Sequence, residues 1–117
     1  MSIETVTRKN KRILHIKYAG LAPAAMLDQI RAATKAIVDS GSTENLVLTD
    51  MTGSFVGEDF VELAKAEGKK SLPFCRKSAI VGITGIKKIL LKGVNAISPK
   101  PRVPFDTVEE ALEWLAE

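Results

Sequence analysis

Asn45-Leu46-Val47-Leu48-Thr49-Asp50-Met51-Thr52-Gly53 is the stretch on which the fold turns. A strand with one wet face alternates apolar and polar residues. The unbroken run Leu46-Val47-Leu48 instead reads as a short strand, over residues 45–52, covered on both faces as in the interior of a parallel sheet. Asp50, Thr52 and Gly53 are turn formers and close it.

Helical patterns lie on either side. Residues 23–40 open on a proline and are followed by Gly41, and Met26, Ile30, Ala33 and Ile37 recur at helical spacing. Residues 58–69 predict a second helix with Phe60, Leu63 and Ala64 inward. Glu58 and Asp59 start it and Lys69 and Lys70 end it, the charge order that the helix dipole favours. Ser78-Ala79-Ile80-Val81-Gly82-Ile83 is the next strand, and a third helix opens at Thr84 or Gly85 and runs to about residue 97. Pro99, Pro101 and Pro104 then impose an extended segment in which Val103 and Phe105 are the core residues. Thr107 and Glu110 stand at capping-box spacing before a closing helix that turns Val108, Ala111, Leu112 and Leu115 inward. On the N-terminal side, residues 13–18 alternate with Leu14, Ile16 and Tyr18 on one face. Residues 3–7 alternate as well, and Arg8-Lys9-Asn10-Lys11 reads as a hairpin turn between them. The order β-β-α-β-α-β-α-β-α predicts an α/β fold, one domain over residues 1–117 with a mixed sheet of four to five strands flanked by about four helices.

Composition agrees with one domain. The chain has 117 residues, 45% hydrophobic and 26% charged, the mix of a globular protein able to bury a core. A single cysteine rules out an intramolecular disulfide. No stretch approaches the ~20 apolar residues of a membrane span. Residues 1–12 are polar and lack the apolar segment of a secretion signal, so a cytoplasmic location is expected. A net charge of only +3 and 5% aromatic residues offer neither a dense cationic surface nor stacking platforms, and no nucleic-acid partner is expected.

Three segments carry a family resemblance: the strand-to-turn passage over residues 46–53, the basic strand entry Arg76-Lys77-Ser78-Ala79-Ile80-Val81-Gly82, and the closing Phe105-Asp106-Thr107-Val108-Glu109-Glu110-Ala111-Leu112-Glu113-Trp114-Leu115. In their order and spacing, from Ile13 to Leu115, the chain resembles the SpoIIAA-like branch of the STAS superfamily, whose fold is related to the lipid-exchanging CRAL-TRIO domain. The resemblance implies a non-enzymatic regulatory, ligand-binding or membrane-associated module. Anti-sigma-factor antagonists of the superfamily carry a phosphorylated serine in an Asp-Ser pair at the helix start after the central strand. Here that stretch is Gly53-Ser54-Phe55-Val56-Gly57-Glu58-Asp59-Phe60, without the pair. Thr52 and Ser54 are near enough to accept a phosphate, but Glu58 and Asp59 would repel it.

Catalytic machinery is missing from the pattern. His15 reads as an outward strand residue with no nucleophile placed beside it. Cys75 lies next to Arg76 and Lys77, cations that favour a thiolate, yet it has no second cysteine and reads first as an inert, half-buried thiol. One histidine and one cysteine cannot furnish a zinc set, no glycine-rich phosphate loop is present, and no cofactor is implied.

Two surfaces remain. Asp50 falls at the carboxyl end of the central strand, where open α/β sheets place ligand crevices. With Thr52, Ser54 and Phe55, and with Thr84 and Gly85 from the neighbouring strand end, it would floor a pocket for a small hydrophobic ligand. The bland alternative is that Asp50 and Thr52 only satisfy turn donors. On the third helix, Ile86, Leu90, Val94 and Ile97 form the inward stripe, with Ile89 and Gly93 beside it. Lys87, Lys88 and Lys92 surround an outward Leu91, a pattern suited to an anionic bilayer and equally to a solvated amphipathic helix. The expected function is a binding or regulatory module for a lipid or small hydrophobic ligand, with peripheral contact at the inner face of the membrane. A ligand-free homodimer, formed through residues 99–104 or a sheet edge, is the alternative. An enzyme using Asp50 or Cys75 comes last.

Overall fold

The hairpin that begins the chain turns in two residues. β1 (Ser2–Arg8) and β2 (Lys11–Lys17) pair antiparallel from Ser2 opposite Lys17 to Arg8 opposite Lys11. Lys9 and Asn10 between them both have positive φ, 52° and 65°, the left-handed pair that matches the twist of a tight hairpin. The computed structural model describes residues 2–96 and 100–117.

From β3 onward every strand is parallel to the one before it. α1 (Pro23–Val38) leads to β3 (Asn45–Asp50), and α2 (Glu58–Ser71) leads through a single 3-10 turn, Leu72–Phe74, to β4 (Cys75–Val81). α3 (Ile86–Asn95) leads to the short edge strand β5 (Val103–Phe105), and α4 (Val108–Ala116) closes the order. The strands lie in the sheet in chain order, β1-β2-β3-β4-β5. Each crossover from β2 to β5 therefore steps in the same direction, and right-handed crossovers that all step one way put their helices on one face. α1, α2 and Leu91 of α3 do pack against the same core, and α4 takes the opposite face.

Two hydrophobic layers result. Ile16, Tyr18, Val47, Met51 and Ile80 meet Met26, Ile30, Ala33 and Ile37 of α1 on one side. Ile13, Leu46, Leu48, Ala79 and Val81 meet Ala111, Leu112 and Leu115 of α4 on the other. The double burial expected of Leu46-Val47-Leu48 is thus present, with Val47 facing one layer and its two neighbours facing the other. Burying a side chain of this size contributes roughly 1.5–3 kcal/mol. The capping box forms at α4, where Thr107 Oγ1 accepts from the Glu110 N–H at 3.2 Å and donates to Glu110 Oε1 at 3.1 Å.

Several boundaries differ from expectation by a few residues, and two of them bear on the packing. β4 starts at Cys75 rather than residue 78, because Lys77 works as a strand residue. Its ammonium donates to Trp114 O at 2.9 Å and lies 5.0 Å from the Trp114 ring centre, so a charged residue caps the α4 layer. α3 ends at Asn95, while Ile97 and the side chains of Ile86 and Val94, assigned to its inward stripe, lie outside the described residues.

The carboxyl ends of β3 and β4 are bound closely together. Met51 N–H donates to Val81 O at 2.9 Å, and Gly82 follows with φ 80°. A Cβ at Gly82 would collide with Thr52 N and stand 2.6 Å from Met51 C, both backbone atoms. Gly53 also has positive φ, 69°, but open space around it. Gly82→Ala should therefore cost about 3 kcal/mol or more, left-handed strain plus overpacking, against about 1 kcal/mol for Gly53→Ala. Urea denaturation of the two variants checks this, and equal losses would show that the close approach is unimportant.

Candidate functional site

β3 runs out at Asp50, and the alternation of the strand decides which way that carboxylate turns. Asp50 shares the face of Leu46 and Leu48, the α4 side of the sheet. Its Oδ1 accepts from the Thr52 N–H at 3.1 Å, and its Oδ2 lies 3.1 Å from His15 Nε2. Burial pushes the Asp50 carboxyl up, but the hydrogen bonds from Thr52 and His15 outweigh it and hold the group below its ordinary value. His15 is accordingly not an outward residue: it is 7% exposed. Alternation showed correctly that His15 and Tyr18 point opposite ways, but not that the His15 face is covered too.

The other residues expected around Asp50 sit at the same end of the sheet. Thr52 is exposed, Phe55 is 76% exposed, and Thr84 and Gly85 are exposed in the loop that opens α3. The Ser54 hydroxyl turns back on its own loop and donates to Met51 O at 2.6 Å.

A cavity of about 110 Å3 lies instead on the other face, beneath α1, α2 and α3. None of Asp50, Thr52, Ser54, Phe55, Thr84 and Gly85 lines it. Its floor is Ile16, Val47, Thr49, Met51 and Ile80 of the sheet, and its walls are Ile30 and Ala33 of α1, Phe60 and Ala64 of α2, and Leu91 of α3. Tyr18 stands edge-on to Phe60, ring centres 5.4 Å apart. The space is mainly apolar, with a few polar groups at its margins, the general composition of a small-molecule site.

Three of those polar groups form a cluster that the sequence separates widely. Arg102, Tyr18 and Cys75 all line the cavity. Burial pushes the Tyr18 phenol and the Cys75 thiol up and the Arg102 guanidinium down, and the cation opposes the shift of both acids. Cys75 is thus a buried thiol donating to Ser71 O at 3.4 Å, and the nearby cations come from Arg102 and Lys100 rather than only from its chain neighbours. Arg102 entered the sequence reading only as part of a basic stretch. Gly68 could have pointed to it: a glycine inside a helix lowers stability and so marks a close approach. A Cβ there would lie 3.4 Å from Arg102 Nη2.

On α3, Leu91 packs against the core and lines the cavity, so it is not the outward residue expected. The outward apolar residue is Ile89, 69% exposed, with Lys88 and Lys92 also exposed. Lys87 folds over the strand ends, donating to Met51 O at 3.1 Å and Gly82 O at 3.3 Å. The helix is rotated relative to the expected stripe because Leu90 and Leu91 together face the cavity. Among the described residues no group of three His, Cys, Asp or Glu side chains gathers to hold a metal ion, and no helix is long and apolar enough to cross a membrane.

A sequential mixed sheet with three helices on one face and one on the other is the STAS fold. The solved structure of an anti-sigma-factor antagonist (STAS) domain protein from Planctomyces limnophilus is similar to this chain with a TM-score of 0.70, 18% identity and 98% of both chains covered. That likeness establishes the fold. No protein-family model and no curated protein matches the sequence.

Asp50 offers a direct check on the His15 contact. Its lowered value means that the ionised carboxylate contributes stability above its ordinary value of 3.8, and that the contribution is lost as pH falls through the folded value. Asp50→Asn should destabilise the chain by about 1–2 kcal/mol at pH 7, and the gap to the parent should close below about pH 4. Urea denaturation at pH 7 and pH 3 measures it; an unchanged gap would remove the charge from the account.

Proposed function

We propose that the chain is a non-enzymatic binding module of STAS type whose cavity under α1, α2 and α3 takes up a small hydrophobic ligand. The cavity carries the reading: space of about 110 Å3, floored by the sheet and walled by three helices, sits where a close-packed domain would have none. The non-enzymatic part is supported by placement. The single histidine belongs to the α4 side and is engaged by Asp50, while the single cysteine packs in the opposite layer, so the sheet separates them. Native mass spectrometry of the chain purified from cells should show a retained small-molecule adduct. Ala33→Phe, which fills the space, should abolish it. A bare chain that also gives no amide shift changes on titration with 1-octanol would overturn the reading.

A second reading rests on α3. Ile89 projects from the helix next to Lys88 and one turn from Lys92, which presents an apolar side chain between ammonium groups, the arrangement that holds a peripheral helix on anionic headgroups. It puts the protein in the cytoplasm, at the inner face of the membrane, with Lys88, Ile89 and Lys92 in contact in place of Leu91 and Lys87. A homodimer through the segment over residues 99–104 draws less support. Pro99 lies outside the described residues, and Pro104 gives the β5 edge a residue with no N–H for a partner strand. Co-sedimentation with liposomes should rise with anionic lipid and fall with salt, and Ile89→Asp should lower it several-fold. Absence of binding at low ionic strength would end this second reading.

A further inference from the structure

Arg102 reaches the cavity from the segment between α3 and β5, and its backbone is held from both sides. Its N–H donates to Asn95 Oδ1 at 3.0 Å, and its carbonyl accepts from Asn95 Nδ2 at 2.9 Å. From that fixed root the side chain passes to the Gly68 backbone of α2, where its Nη2 would stand 3.4 Å from a Cβ. The guanidinium lies in the cavity wall beside Tyr18 and Cys75.

What it lacks there is a counter-charge. Its electrostatic neighbours are a phenol and a thiol, and burial pushes both away from ionising, so both are neutral at neutral pH. Glu67, the one carboxylate in the cavity lining, has its Oε2 3.0 Å from the Lys70 ammonium, an ion pair without a hydrogen bond. Among the described residues Arg102 has no ion pair, whereas Arg8 and Arg31 each have one or more. A guanidinium stays protonated under all ordinary conditions. A cation largely withdrawn from water and without an anion beside it is poorly compensated, and an anion arriving from outside would compensate it.

We propose that the cavity is a site for a small monocarboxylate with an apolar body, its carboxylate paired with the Arg102 guanidinium and its body laid on Ile16, Val47 and Ile80. The proposal rests on the reading of this cavity as a ligand site and adds the charge of the ligand to it. A guanidinium presents two parallel N–H groups to the two oxygens of a carboxylate, which selects that group over a hydroxyl of the same reach. The neighbouring Tyr18 hydroxyl is a donor as well, so the polar end of the cavity has a further hydrogen to give an anion. The volume sets the size. A cavity of about 150 Å3 holds the six carbons of benzene, so one of about 110 Å3 takes a body of roughly four to six carbons, and a longer chain must extend beyond it.

Octanoate and 1-octanol, matched in chain length and differing in charge, are the probes. Isothermal titration calorimetry or amide chemical shifts at pH 7 should show octanoate binding at least tenfold more tightly than octanol. Arg102→Met should remove that preference while octanol binding persists, and Arg102→Lys should retain part of it; thermal melts confirm that both variants are folded. Equal affinity for the two probes, or a preference that survives in Arg102→Met, overturns the assignment of charge and leaves the hydrophobic site standing. Failure of both probes to bind the parent chain overturns the ligand site itself.

Discussion

Leu46 and Leu48 turn to α4 while Val47 and Met51 turn to α1, and nearly everything else in the domain follows from that division. A strand dry on both faces needs a helical layer on each. The sheet advances strand by strand in one direction, so handedness commits the first three helices to a single side. The other side is left to α4 alone. Nine residues of helix, reinforced by Arg8 pairing with Glu109 at 2.9 Å and Glu113 at 2.8 Å, cover the whole opposite face.

That imbalance gives the two faces different characters. The α4 layer is filled by Ile13, Leu48, Ala79, Ala111 and Leu115, each wholly excluded from water. Within it His15 meets Asp50, and Lys77 caps it at Trp114. On the other side, three helices must share one sheet surface, and α2 contributes few fully buried residues, Val61 and Glu67 among them. Phe60, Leu63 and Ala64 pack only partly against the core. The space left between them is the cavity. The looser side of the sheet is thus the side able to receive something, and the tighter side is the side that holds the domain together.

The fold was legible because it is written in periodicity. The double burial of Leu46-Val47-Leu48, the proline start of α1, the Thr107 cap and the order of elements are local signals, and the structure follows each of them. The site was less legible because it is made of distances that no local pattern encodes. Alternation placed His15 opposite Tyr18 but could not report a helix arriving to cover it from the far end of the chain. The switch-point rule pointed to the carboxyl end of β3 and left open which face holds the space, since Asp50 and Met51 point opposite ways. On α3, the stripe placed Leu91 among the lysines because it assumed a narrow buried seam. A helix lying over a cavity turns both Leu90 and Leu91 inward and frees Ile89. Arg102 gave no signal of its own, being one basic residue among several.

The late position of α4 also shapes how the chain can fold as it is made. Ile13, Leu46, Leu48, Ala79 and Val81 have no cover until residues 108–116 exist, although all five strands precede that helix. A nascent chain emerging from the ribosome can assemble the α1 side early, but its other apolar sheet face waits until residues 108–116 have emerged. Folding of this domain is therefore completed in one late step. The strands wait, and a chain stopped before α4 would present a sticky surface rather than a smaller stable domain.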